Sequence, residues 1–147
     1  MTQSQQLHMT VYASLFAALI AAGAYLAIPI GPVPIVLQNL FVMLAGLLLG
    51  GRWGPAAVGV YLTAGALGLP VFAGGAGGIG RILGPTGGYL IGYLPVVFLI
   101  GLISERSKGR ILFDVLAMTC GTAVLYVCGV SWLKVVTGMA WPDAMAV

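Results

Sequence analysis

The chain has 147 residues, of which 61% are hydrophobic and only 6% are charged. A soluble domain carries charge on about a quarter of its residues, so this composition excludes an ordinary water-soluble protein. Six Lys and Arg residues are also too few for a nucleic-acid surface, which needs clustered positive charge. Strands of alternating polarity, typical of outer-membrane barrels, are missing from the sequence, so the membrane spans should be helices.

Long uncharged intervals predict where these helices lie. The intervals separate His8 from Arg52, Arg52 from Arg81, Arg81 from Glu105, and Asp114 from Lys134. Each is long enough to cross a hydrocarbon layer of about 30 Å. Proline- and glycine-rich segments subdivide them, because proline removes a backbone donor and glycine disfavours helix.

Five helices are predicted in chain order, at residues 10–30, 35–49, 56–69, 88–103 and 111–131. The segments GPVP at 31–34, GGRWGP at 50–55 and GLP at 68–70 end the first three. Seven glycines between residues 71 and 87 make a long helix improbable there. The sequence therefore predicts an all-α membrane protein, a compact bundle of five visible transmembrane helices in a single transmembrane domain over residues 1–147.

The positive charges predict the orientation of this bundle. Arg52 lies between helices two and three, and Arg106, Lys108 and Arg110 lie between helices four and five. An alternating path puts these loops on one side, and short cytoplasmic loops retain Lys and Arg. We therefore expect a multi-pass protein of the plasma (inner) membrane with a cytoplasmic N-terminus. Arg81 and Lys134 then lie at the outer face.

The glycine-rich segment 71–87 is the most unusual feature of the sequence. Its GAGGIG at residues 75–80 matches a dinucleotide fingerprint, but the required strand, helix and acidic residue are missing around it. Irregular backbone at membrane depth must be buried in protein or line a cavity, where its amides can bind a ligand. The candidate ligand-binding glycines are Gly74, Gly75, Gly77 and Gly78. The alternative is a purely structural connection that allows close helix packing.

Arg81 is the only charged residue of that loop and a natural partner for a ligand carboxylate. Its side chain has an alternative role, in which it extends to lipid headgroups or water. Other polar residues are expected around the same outer site. They are Gln38 and Asn39 at the start of helix two, with Thr86 and Tyr89 beside the loop.

Small residues form two stripes on the predicted helices. Ala13, Ala17 and Ala21 recur every four residues on helix one, and a stripe of this kind permits close helix approach, either within the bundle or to a partner subunit. Gly84, Gly88 and Gly92 form the second stripe, for which internal packing is the better interpretation.

Catalytic and metal-binding constellations are not evident in the sequence. His8 is the only histidine, and no nucleophile has a recognisable triad. We therefore predict neither an enzyme nor a bound cofactor or metal. An intramembrane enzyme would need reactive groups facing one cavity, and Arg81 alone does not supply them.

Four segments together resemble the BioY family in order and spacing. They are GPVPIVLQNL at residues 31–40, LAGLLLG at 44–50, LTAGALGLPVFAGG at 62–75 and LGPTGGYL at 83–90. BioY proteins are biotin-specific substrate-binding components of energy-coupling factor transporters. The resemblance implies a six-helix S-component fold with biotin near the outer face, beneath the loops after helices one and three.

The resemblance also implies partners for the chain. These are a transmembrane coupling protein, cytoplasmic ATPase subunits and the surrounding membrane lipid. The A-x-x-x-A motifs of helix one, Ala13 to Ala17 and Ala17 to Ala21, are expected at the coupling contact.

One part of the family pattern is missing from the chain. BioY proteins have a sixth helix beginning with a motif like Pro-Gly-Asp-x-x-Lys, whose charged residues help hold the biotin ring system. Residues 141–147 resemble the connection before that helix, and Asp143 is not the aspartate of the motif. We therefore expect a chain truncated at its C-terminus relative to the family. The alternative function is a non-transporting membrane scaffold or assembly subunit, in which the glycine-rich loop is purely structural.

Overall fold

A computed structural model describes residues 1–28, 35–107 and 109–146. Within these ranges the elements are α1 (Gln3–Tyr25), β1 (Ala27–Ile28), β2 (Ile35–Val36), α2 (Gln38–Ala66), a 3-10 turn (Ala73–Gly75), α3 (Ile79–Leu83), α4 (Gly87–Ser107), α5 (Ile111–Thr137) and α6 (Trp141–Met145). Four of the helices described, α1, α2, α4 and α5, are long and apolar enough to cross a membrane. The all-α prediction is confirmed. The predicted GPVP break at 31–34 lies outside the described residues.

Helix α2 folds back on itself at Gly50. This residue has a φ of 78° and a ψ of −176°, which are not helical. Gln38 Nε2 donates to the Tyr61 hydroxyl over 2.9 Å, although a straight helix would separate these residues by about 34 Å. The two halves, residues 38–49 and 51–66, are therefore antiparallel and correspond to the second and third predicted helices.

A carboxylate from another helix supports this bend. Glu105 Oε1 on α4 accepts a hydrogen bond of 2.8 Å from the Gly51 N–H, one of the donors left free where the helix restarts. A Cβ added at Gly50 would overlap Glu105 Oε1, so the bend requires glycine for its space as well as for its positive φ. Pro55, which was expected to precede the third helix, lies near the start of the second half instead.

Close contacts between backbones hold the long helices together. The order of packing is α1, α2, α4 and α5, each against the next. A Cβ on Gly54 would lie 2.9 Å from Val97 Cγ2, and one on Gly92 would lie 3.2 Å from Cys128 Cβ. Gly88 likewise packs under Trp132. The internal interpretation of Gly88 and Gly92 is therefore confirmed, since both face α5 of the same chain.

The helix ends differ from the prediction at several places. α1 begins at Gln3 rather than residue 10, because Thr2 and Gln5 form a capping box. It ends at Tyr25 rather than residue 30, and Ala27 then pairs with Val36 in a short antiparallel ladder. α5 continues to Thr137, where Gly138 ends it in the left-handed conformation with a φ of 68°.

The alanine stripe of α1 faces the chain's own core. Ala13 and Ala17 are buried, and Ala21 is partly buried against the same core. The next residues around the helix, Ser14 and Ala18, are exposed. The side chains of Ala13 and Ala17 are thus used in packing within the chain, as the internal alternative predicts. Ala21 is only partly buried, and the partner contact predicted at Ala13, Ala17 and Ala21 stays a prediction.

The charged residues separate to the two ends of the bundle. The bond from Gly51 to Glu105 brings Arg52 and Arg106 to one end, next to the start of α5. At the other end Trp132 Nε1 donates to Gly84 O over 3.0 Å, joining the last turns of α5 to the loop that carries Arg81. Lys108, the remaining predicted charge of the first end, lies outside the described residues.

Substitution of Gly50 tests the bend. We expect Gly50→Ala to lower the free energy of unfolding by about 1–3 kcal/mol, because the new Cβ meets Glu105 and the positive φ becomes strained. Gly59→Ala in the same helix is the matched control, since its Cβ would meet no atom within 4 Å. Thermal unfolding in detergent compares the two variants, and equal midpoints would contradict the role given to Gly50.

Candidate ligand-binding site

A cavity opens at the Arg81 end of the bundle, where the start of α2, the glycine-rich loop, α4 and α5 meet. It has an apolar wall, several hydroxyl and amide groups, and one cation, a combination typical of small-molecule sites. The lining residues are Ile35, Val36, Gln38, Asn39, Phe72, Ala73, Arg81, Thr86, Tyr89, Leu90, Tyr93, Leu125 and Tyr126.

Five of the nine predicted site residues lie together in this lining. They are Gln38, Asn39, Arg81, Thr86 and Tyr89. The sequence predicted one outer site for them because they lie near helix ends and near the loop. The structure brings them together because the hairpin of α2 returns the chain to the end where residues 38–39 lie, and the loop and the start of α4 follow there.

The four predicted glycines, Gly74, Gly75, Gly77 and Gly78, are not among the cavity-lining residues. Three of them adopt a positive φ, and a Cβ on Gly77 would overlap the Leu69 carbonyl. The Gly75 N–H donates to Phe72 O over 3.0 Å, and the Gly78 N–H donates to Gly65 O over 2.7 Å. The Gly75 and Gly78 amides are therefore bonded within the chain, and a role of these four glycines in ligand binding stays a prediction.

Phe72 anchors the loop beneath the cavity. Its side chain is only 1% exposed, and its ring packs edge-on against Tyr61 with centroids 5.6 Å apart. Gly65 makes room for it, since any Cβ there would overlap the Phe72 ring. The Tyr25 hydroxyl also donates to the Pro70 carbonyl, which ties the end of α1 to the same loop.

Two tyrosines hold the amide side chains at the start of α2. Gln38, 1% exposed, donates from Nε2 to the Tyr61 hydroxyl. The Tyr93 hydroxyl on α4 donates to Asn39 Oδ1. In an apolar setting these bonds satisfy groups that would otherwise be costly to bury, and they fix the positions of both amides.

Arg81 contributes the positive charge of the cavity. It lies on the short helix α3 and is partly buried. Throughout the described part of the chain, no carboxylate lies within 4.0 Å of its guanidinium, and its side chain makes no hydrogen bond. The guanidinium is therefore available for an anionic group that enters the cavity.

Sequence reasoning missed the aromatic part of the lining, namely Phe72, Tyr93 and Tyr126. Tyr93 follows the predicted Tyr89 by four residues, so the helical period places both on one face and could have identified it. Tyr89 also packs edge-on against Tyr126 of α5, with centroids 6.2 Å apart. No local pattern indicates this second contact, because it depends on how α5 packs against α4.

Comparison with known proteins identifies relatives of this chain. The BioY family matches residues 1–147. The chain is 43% identical over 120 residues to the biotin transporter BioY of Thermotoga maritima, covering 82% of this chain and 70% of that protein. It is 48% identical over 120 residues to a probable biotin transporter BioY of Pyrococcus horikoshii, with the same coverage of both chains.

A solved structure has the same fold. It is the crystal structure of the S-component for biotin from an ECF-type ABC transporter, with a TM-score of 0.93 and 34% sequence identity. The match covers 99% of this chain and 82% of that one. Together with the match over the whole sequence, it establishes that the chain belongs to the BioY family.

Proposed function

We propose that this chain is the biotin-binding substrate-specificity component of a vitamin uptake transporter, which presents biotin from the outer face to an ATP-driven coupling module. Its relatives are named as biotin transporters, and the similar solved structure is an S-component for biotin. The observation that carries the proposal is the Arg81 guanidinium, which lines a cavity of mixed apolar and polar groups and pairs with no carboxylate of the described residues.

The chemistry of biotin suits this cavity. Its thiophane ring and valeryl chain are apolar, and their burial contributes about 25 cal/mol per Å². Desolvation of its carboxylate is costly unless a charge-assisted bond replaces water, and Arg81 supplies one. Thr86, Tyr89 and the amides of Gln38 and Asn39 add groups that can pair with polar atoms of the ligand.

The alternative function, a membrane scaffold, has one observation in its favour. The glycine-rich loop bonds several of its amides internally, so its composition has a structural explanation without any ligand. A scaffold predicts no saturable binding of biotin. Direct binding measurements therefore separate the two functions.

Active uptake requires energy from another subunit. The sequence contains no G-x-x-x-x-G-K-[ST] motif for nucleotide phosphates. We therefore assign ATP hydrolysis to cytoplasmic ATPase subunits, linked through a transmembrane coupling protein. On α1 the exposed face that contains Ser14 and Ala18 offers small residues to such a partner, whereas Ala13 and Ala17 are covered.

The plasma membrane is the proposed location, with the N-terminus in the cytoplasm. Arg52, Arg106 and Arg110 share one end of the bundle, which the positive-inside rule assigns to the cytoplasm. The cavity then faces outward. Lipid contacts the exposed apolar side of the long helices.

Removal of the Arg81 charge tests the ligand contact. In a chain extended by the family's sixth helix, we expect Arg81→Ala to weaken biotin binding by about 1.5–3 kcal/mol, the range for a hydrogen bond to a charged group. Biotin methyl ester should bind the wild type and the variant with similar affinity, because it lacks the carboxylate. Arg110→Ala, at the opposite end, is the matched control, and calorimetric titration measures all three proteins. Equal biotin affinity of wild type and Arg81→Ala would remove Arg81 from the site.

Cysteine labelling in intact cells tests the orientation. In a background that lacks Cys120 and Cys128, Arg81→Cys should react with a membrane-impermeant maleimide. Arg106→Cys should react only after the cells are permeabilised, because it lies at the cytoplasmic end. The opposite pattern would invert the protein and move the cavity to the inside.

Adjacent alanines on α1 separate internal packing from docking. We expect Ala17→Trp to destabilise the chain by about 1–3 kcal/mol, because it inserts bulk into a packed core. Ala18→Trp should preserve folding and biotin binding but prevent co-purification with the coupling protein. Undiminished co-purification of Ala18→Trp would show that this face of α1 is not the docking surface.

A further inference from the structure

The hydrogen bond between Tyr93 and Asn39 joins α4 to α2 at the wall of the cavity. Tyr93 is 3% exposed, and its hydroxyl donates to Asn39 Oδ1. Both residues line the cavity, but Asn39 is only partly buried. The bond therefore has a buried end on the tyrosine and an accessible end on the amide.

This bond determines which part of the amide is left for a ligand. An asparagine amide has one acceptor oxygen and two N–H donors. Oδ1 accepts a hydrogen bond from Tyr93, and across the described residues Nδ2 has no hydrogen-bond partner. The preceding Gln38 is 1% exposed and donates from Nε2 to Tyr61. Asn39 thus presents the N–H donors of Nδ2 to the cavity, while Tyr93 holds its oxygen.

We infer that Tyr93 is a positioning residue that fixes the Asn39 amide so that Nδ2 donates a hydrogen bond to an oxygen of the bound ligand. The inference rests on the proposed function and adds a determinant of specificity to it. Binding is less favourable when a ligand removes water from an N–H group beside an apolar wall and supplies no acceptor, because the buried donor is then unsatisfied. Ligands with an oxygen at this position are therefore favoured over ligands without one.

Biotin has acceptor oxygens at its carboxylate and at its ureido carbonyl. Two analogues distinguish them, since biotin methyl ester alters the first and 2-thiobiotin replaces the second by sulfur. The wild type should discriminate against the analogue whose altered atom meets Asn39. Tyr93→Phe keeps the ring and removes the hydroxyl, so it should bind biotin about 10-fold more weakly and lose most of that discrimination.

Substitution of Asn39 completes the test. Asn39→Asp replaces the donor by an acceptor and should weaken biotin binding more than Tyr93→Phe does. The effect of Asn39→Asp should shrink in the Tyr93→Phe background, because the two residues act as a unit. Tyr12→Phe on the exposed face of α1 is the matched control, and titrations in lipid nanodiscs of the chain extended by the family's sixth helix measure biotin and both analogues.

The outcomes separate a role in recognition from simple helix packing. Lower thermal stability of Tyr93→Phe with unchanged affinity for biotin and unchanged analogue ratios would overturn the inference. If Tyr93→Phe does not fold, unchanged biotin affinity of Asn39→Asp would overturn it instead. Failure of the extended wild-type chain to bind biotin would overturn the proposed function and the inference together. If the wild type binds biotin and the variants bind it with the same affinity, the inference alone is overturned.

Discussion

The need to satisfy backbone hydrogen bonds inside a lipid environment governs this structure. Regular helix meets that need along α1, α4 and α5, but the chain departs from helix at Gly50 and through the glycine-rich loop. At Gly50 the donor freed by the bend is taken by the Glu105 carboxylate. In the loop, backbone amides bond to carbonyls of the loop and of the preceding helix. At both places, backbone donors of the described residues are paired by a neighbouring helix or by the loop itself.

These compensations determine which chemical groups remain for a ligand. Because the glycine-rich loop uses several of its amides internally, the polar groups of the cavity are mainly side chains. The loop positions them through Phe72, which packs against Tyr61, and Tyr61 in turn holds Gln38. Arg81 follows on α3 with its guanidinium unpaired among the described residues. The loop therefore contributes side chains such as Arg81 and Thr86 to the lining, and its glycines shape the backbone that carries them.

Glycine has a second use in the bundle, which is close contact between helices. Gly54 packs against Val97, and Gly88 packs against Trp132. In lipid the hydrophobic effect does not drive helices together, so van der Waals contact between close backbones has to hold them. The same contacts bring the start of α2 and the middle of α4 near enough for Tyr93 to reach Asn39. Helix packing and cavity geometry are consequently linked.

By itself the sequence determined the membrane class, the number of main helices and the separation of Arg81 from Arg52 and Arg106, because charge spacing and hydropathy are local properties of the chain. It also identified Gln38, Asn39, Arg81, Thr86 and Tyr89, whose polar side chains stand out near helix ends. Only the tertiary structure decided that Tyr126 shares their cavity, that Ala17 faces inward, and that the loop glycines are not among the cavity-lining residues. Helix rotation and hydrogen-bond partners across helices fix these features, and neither is encoded in a short stretch of residues.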